Sequence, residues 1–196
     1  MPTIARSSLM SLETYAKARN EFRARVIAHK KNRMVQLGEH VALLFEDELT
    51  IRYQIQEMLR VERIFEEDGI VGELDAYNPL VPDGSNWKAT MQIEYEDPAE
   101  RAHMLTRLRG IEDRVWIAVA GGPRVYAVAD EDIERENDTK TASVHFLRFE
   151  LTPGMVRQVK AGAAIGAGID HPNYNEQVVA LAPAVCAALA ADLITA

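Results

Sequence analysis

Asp170-His171-Pro172-Asn173-Tyr174 directly follows an expected strand ending at Ile169, and so places four polar-capable side chains at a strand exit, where sites often assemble. An aspartate beside a histidine can orient an imidazole for proton transfer or metal ligation, and the following proline keeps that histidine extended. Asp170 and His171 are therefore candidate catalytic or metal-binding residues, although Asp-His-Pro-Asn is also good turn chemistry. Glu62 is the next candidate. On a helix over 50–68, wound at about 100° per residue, Ile51, Ile55, Met58, Leu59 and Phe65 share one sector and Glu62 points into it. A carboxylate buried there needs a cationic partner, a metal ion or its own proton. An ion pair with Arg19, Arg23 or Arg33 competes with a functional role, while Glu57 points to the opposite face and reads as solvated. His145 alternates with Leu147 and Phe149 on one strand face. It is a candidate metal ligand, although a histidine in such a place is more often a satisfied core residue.

Other patterns lack parts. Glu100 and His103 have Glu-x-x-His spacing, but a di-iron site needs a second such motif and two more carboxylates. The glycines at 162, 166 and 168 fit neither a dinucleotide loop nor a P-loop, and read as places where another backbone approaches a strand. Asp130, Asp132 and Glu134 resemble the start of a calcium loop, yet Arg135 and Thr141 stand where its glycine and final glutamate belong. Cys186, in an alanine-rich stretch, reads as a small core residue. No cofactor is expected.

The secondary structure around these residues follows from periodicity. Residues 11–36 read as a long helix with Ser11 as cap, Gly38 as stop, and the stripe Tyr15, Ala18, Phe22, Val26, His29, Arg33. A β-rich run over 40–45 and the 50–68 helix follow, with a short third helix over 70–77. From residue 87 strands dominate. Trp87, Ala89, Met91, Ile93 and Tyr95 alternate with polar residues, and further strands are expected over 115–120, 125–129, 144–151 and 164–169. Helices are expected over 99–109, 153–160 and 183–193. Helices first and then adjacent strands with short connections predict an α+β fold, its antiparallel or mixed sheet carrying helices on one face.

With 196 residues, 47% hydrophobic and 27% charged, the chain can bury one core, and residues 1–196 read as a single domain. One cysteine permits no internal disulfide, the N-terminus lacks a signal-like apolar run, and no stretch has the roughly 20 apolar residues of a membrane helix. A cytoplasmic location is expected. The net charge of -8 divides unevenly. Residues 1–37 carry eight basic groups against Glu13 and Glu21, or +6, leaving 14 basic and 28 acidic groups, or -14, on residues 38–196. The acidic body argues against nucleic acid and for docking of the basic arm on this body or a second copy. A narrow stripe on so long a helix favours a two-fold dimer.

Several segments carry a family resemblance: Phe22-Arg23-Ala24-Arg25-Val26, Leu37-Gly38-Glu39-His40, Leu43-Leu44-Phe45-Glu46, Gln54-Ile55-Gln56-Glu57-Met58-Leu59-Arg60, Gly110-Ile111-Glu112-Asp113 and Asp170 to Tyr174. Together they resemble a bacterial single-domain family of unknown function, over nearly the whole chain. That resemblance implies genes beside those for rubrerythrin and heterodisulfide-reductase-like iron–sulfur proteins, hence a role near peroxide defence or electron transfer. It implies no catalytic residues. Lacking cluster cysteines and paired Glu-x-x-His motifs, the chain is expected to leave redox chemistry to partners. The favoured expectation is a non-enzymatic accessory or binding protein using the 11–36 and 50–68 helices. The alternative is a small enzyme or metal-dependent protein whose site gathers Glu62, Asp170 and His171.

Overall fold

A computed structural model describes residues 3–131, 135, 137 and 139–195; Asp132 and Glu134 of the acidic loop lie outside the described residues. Helix α1 (Leu12–Lys30) starts where Ser11 accepts a hydrogen bond from the Thr14 N–H. It ends at Lys30, six residues before the expected helix end at 36. Met34–Leu37 forms strand β1, with Val35 and Leu37 buried and Met34 and Gln36 exposed, a period of two that outweighs helical continuation. Gly38, at φ +69°, carries the chain through a hairpin into β2 (Val41–Phe45) and is not a helix stop. Asp47 and Thr50 then form a reciprocal capping box that opens α2 (Glu48–Val61).

Helix α2 also ends early. The Glu62 and Ile64 N–H groups donate to Met58 and Leu59 carbonyls, and Arg63 adopts φ +55°, closing the helix before α3 (Glu67–Tyr77). Tyr15, Phe22 and Val26 of α1 are buried against Met10, Leu49 and Tyr53, so α2 of the same chain covers the stripe. The stripe is thus buried within one chain without a second copy. The basic arm docks internally: Arg19 pairs with Glu57, and Arg33 with Asp47 and Asp192.

The expected α+β class holds. Every strand pair is antiparallel. One sheet runs β1-β2-β3-β7-β6, using β3 (Asn86–Ile93), β6 (Val128–Ala129) and β7 (Val144–Glu150); the other runs β5-β4-β8-β9, using β4 (Val115–Val119), β5 (Val125–Tyr126), β8 (Ile165–His171) and β9 (Tyr174–Val178). Residues 125–129 pass from one sheet to the other, pairing first with β4 and then with β7. On the opposite side the Tyr174 hydroxyl donates to the Leu37 carbonyl at 2.6 Å and accepts from the His40 N–H at 3.0 Å. The sheets thereby curl around one apolar core, including Phe45, Trp87, Met91, Ile117 and Phe149, as an incompletely closed barrel.

Side chains fill the barrel. Helices α5 (Pro153–Lys160) and α6 (Pro183–Ala191) close one end, where Trp87 Nε1 donates to the Leu189 carbonyl at 3.0 Å. Leu105 of α4 (Pro98–Arg107), with Leu108 and Ile111, closes the other. A Cβ at Gly168 would overlap the Trp116 ring and lie 2.8 Å from the Glu176 carbonyl oxygen, so this glycine does permit a close approach. Among the described residues no helix is long and apolar enough to cross a membrane.

Candidate functional site

The expected grouping of Glu62, Asp170 and His171 does not form. Glu62 is exposed beyond the end of α2, and its carboxylate makes no hydrogen bond or ion pair among the described residues. Because the helix stops at Val61, the phase that would bury Glu62 and Phe65 is lost, and Phe65 is 70% exposed. The carboxylate that meets the basic arm is Glu57, expected in solvent. Its Oε1 accepts from the Tyr15 hydroxyl at 2.6 Å and Arg19 Nε at 2.8 Å, and Oε2 accepts from Arg19 Nη2 at 2.9 Å and Arg60 at 3.1 Å. Arg19 above all, then Tyr15 and Arg60, hold the Glu57 carboxyl down at about 2, against the opposing effect of burial. Burial pushes the Tyr15 hydroxyl above its ordinary range, and Glu57 adds to that.

Asp170 and His171 are successive residues of β8, so their side chains leave opposite faces of the sheet. Asp170 Oδ2 accepts from the Tyr126 hydroxyl at 2.6 Å and Arg124 Nη1 at 2.8 Å. His171 Nδ1 accepts from the Asn173 N–H at 3.2 Å, which leaves Nε2–H to donate to the Arg109 carbonyl at 3.0 Å. His171 pairs with Tyr174 across the two-residue turn Pro172-Asn173. The turn reading therefore describes this segment, which contains no Asp–His dyad. Cys186 is half-buried with Sγ 3.6 Å from the Leu181 carbonyl, and Glu100 and His103 are both exposed on α4.

His145 has the partners that Asp170 and His171 lack. It is fully buried at the start of β7, with Nδ1 2.5 Å from Asp130 Oδ2. Nε2 lies 2.9 Å from Thr141 Oγ1, 3.1 Å from the Ala142 carbonyl and 3.9 Å from Glu112 Oε2. The other Asp130 oxygen accepts from the Phe146 N–H at 2.9 Å and from Arg135 at 3.3 Å. Glu112, Asp130 and His145 each offer a ligand atom within 4.8 Å of the others. They come from three separate segments, a 3₁₀ turn (Glu112–Arg114), the end of β6 and the start of β7, so sequence spacing could not join them. The available signal was an acidic residue at a strand exit and a histidine on an otherwise apolar strand face.

A second concavity lies on the outer face of the five-stranded sheet. Between that face and the α2–α3 layer is a cavity of about 220 Å³, lined by Leu44, Glu46, Ile51, Tyr77, Thr90 and Phe146 among others. It adjoins an open groove of about 510 Å³ through the shared residues Leu80 and Phe146. Lys88 and Arg148, directly opposite each other on β3 and β7, line that groove. Glu131 grips the Arg148 guanidinium at 2.8 and 2.9 Å, and Glu150 adds a bond of 2.5 Å. Burial holds the Lys88 ammonium below the ordinary lysine range; it donates to the Pro79 carbonyl. Inside the cavity, Glu46 Oε1 accepts from the Thr90 hydroxyl at 2.6 Å.

The same architecture occurs in a crystal structure of a protein of unknown function from Burkholderia pseudomallei K96243, determined at 1.90 Å. The two chains are 58% identical with a TM-score of 0.94, covering 98% of this chain and 100% of the other. Comparison with curated proteins finds no match. A model for a protein family of unknown function, DUF3501, matches residues 3–193. The chain belongs to the DUF3501 family.

Proposed function

We propose that this protein is a non-enzymatic binding protein whose ligand is an elongated organic acid held in the cleft between the five-stranded sheet and the α2–α3 layer. The observation that supports this reading is the placement of Lys88 and Arg148 side by side in the open groove that adjoins a cavity with both apolar and polar walls. Like charges directly opposite each other on neighbouring strands repel, and an anion between them relieves the repulsion. Leu44, Ile51, Tyr77, Leu80 and Phe146 offer walls for an apolar body. Glu131 and Glu150 now occupy Arg148, but both side chains are about half exposed and can swing into water as an anionic head enters.

Octanoate and benzoate are suitable probes, with octylamine as the cationic control. A ligand at 100 times its Kd adds about 2.7 kcal/mol of stability. For a chain of this size that raises Tm by about 5–10 °C. The acids are expected to produce such a shift, the amine is not, and Lys88→Met together with Arg148→Met abolishes it. Equal shifts with acid and amine, or an undiminished shift in the double variant, would refute the cleft as an acid site. The role near peroxide defence or electron transfer that the resemblance implies is a further part of this proposal. With Cys186 as its single cysteine, the chain lacks the thiolates an iron–sulfur cluster needs, so such a role would run through a rubrerythrin- or iron–sulfur-type partner.

A further inference from the structure

We propose that His145, Glu112 and Thr141 bind one divalent first-row metal ion, with Asp130 behind the histidine as its positioning residue. The two ring nitrogens of His145 face different surroundings. Nδ1 meets the Asp130 carboxylate at 2.5 Å, which places the ring proton on Nδ1 and turns the Nε2 lone pair the other way. In that direction stand Thr141 Oγ1, the Ala142 carbonyl oxygen and Glu112 Oε2, at 2.9, 3.1 and 3.9 Å from Nε2. Thr141 Oγ1 and Glu112 Oε2 are themselves 3.4 Å apart. A proton on Nε2 could point at only one of these oxygens. With metal–ligand bonds of about 2.1 Å, neighbouring ligands of one ion stand about 3.0–3.4 Å apart, close to the spacing of this nitrogen and its oxygens.

Asp130 has the properties of an outer-shell carboxylate. Its second oxygen is tied to the Phe146 N–H and Arg135, so it fixes the imidazole and is not itself drawn to the ion. One imidazole nitrogen with carboxylate, hydroxyl and carbonyl oxygens suits Zn²⁺, Mn²⁺ or Fe²⁺, and provides too few oxygens for Ca²⁺. Ala142 and Ser143 are partly exposed and give the ion a route from solvent. This site is independent of the sheet-face cleft.

The test uses the full chain stripped with chelator and titrated with Zn²⁺ and with Mn²⁺ in a calorimeter. One ion per chain is expected for the wild type, with binding at least tenfold weaker in Glu112→Gln. Asp130→Asn should weaken it about 10–100-fold and alter the visible spectrum of the Co²⁺-loaded chain, which a purely structural role would leave unchanged. Lys88→Met should bind metal as the wild type does, separating this result from the fate of the acid-binding reading. If the buried variants do not fold, anomalous scattering from wild-type crystals soaked in Zn²⁺ decides, with a peak expected between His145 Nε2 and Glu112. No stoichiometric binding, undiminished binding in Glu112→Gln, or a peak only elsewhere would overturn the site and leave His145 as a buried residue held by Asp130 and Thr141.

Discussion

Glu57 shows how far the environment of one residue could be read from the sequence. The helical phase predicts that Glu62 meets an arginine of the basic arm, Arg19, Arg23 or Arg33, whereas Glu57 is the carboxylate that pairs with Arg19. Helical phase describes a helix's own faces and not which neighbour lies beside them: α1 covers the face that carries Glu57. The pairing has a pH signature. The Glu57 carboxyl titrates at about 2 in the folded chain against an ordinary value of 4.5. A depressed native pKa stabilises the fold at pH values above the unfolded pKa, and that stabilisation disappears as pH falls from about 4.5 toward 2. Glu57→Gln is therefore expected to lower stability by about 1–3 kcal/mol at pH 7, from the loss of its charged hydrogen bonds. Urea midpoints of wild type and variant should converge below pH 4.5. A gap that stays constant to pH 3 would contradict the assignment.

At the level of elements, alternation in β3 and the helical pattern of α4 were legible because each buries one face against the core. The ends of α1 and α2 were not. Both helices stop where tertiary contacts claim the following residues, and at the end of α1 the decisive residue is Arg33. Only 2% exposed, it donates to the Phe45 carbonyl at 2.8 Å and the Glu46 carbonyl at 3.1 Å, and pairs with Asp47 and Asp192. Burial raises the Asp192 carboxyl above its ordinary value, with Arg33 opposing; at Asp47, Arg33, the Thr50 N–H and His29 outweigh burial and hold the carboxyl low. This one guanidinium joins the end of α1, the β2–α2 junction and the C-terminal side of α6. Arg33→Met strands those carboxylates and carbonyls, for an expected loss of about 3–5 kcal/mol in chemical denaturation. Arg33→Lys should recover only part of it, because an ammonium cannot reproduce the guanidinium fork. A loss under about 1 kcal/mol in Arg33→Met would show that the three elements are held by other contacts.

The whole molecule was legible in its class and its charge asymmetry. Residues 1–37 are basic, the rest acidic, and the arm lies on its own body. The closure of two sheets into one curled barrel was not legible. It depends on residues 125–129 serving both sheets and on Tyr174 reaching Leu37 from 137 positions away, neither of which has a local signature. For the same reason the sheet-face cleft is invisible in the sequence: Lys88 and Arg148 meet only through the register of β3 against β7. Binding of an organic acid in that cleft can be read from amide NMR shifts of ¹⁵N-labelled protein titrated with octanoate. The largest shifts are expected at Lys88, Thr90, Phe146 and Arg148, saturating together at one ligand per chain. Shifts centred elsewhere, or no saturable shift at millimolar octanoate, would contradict it.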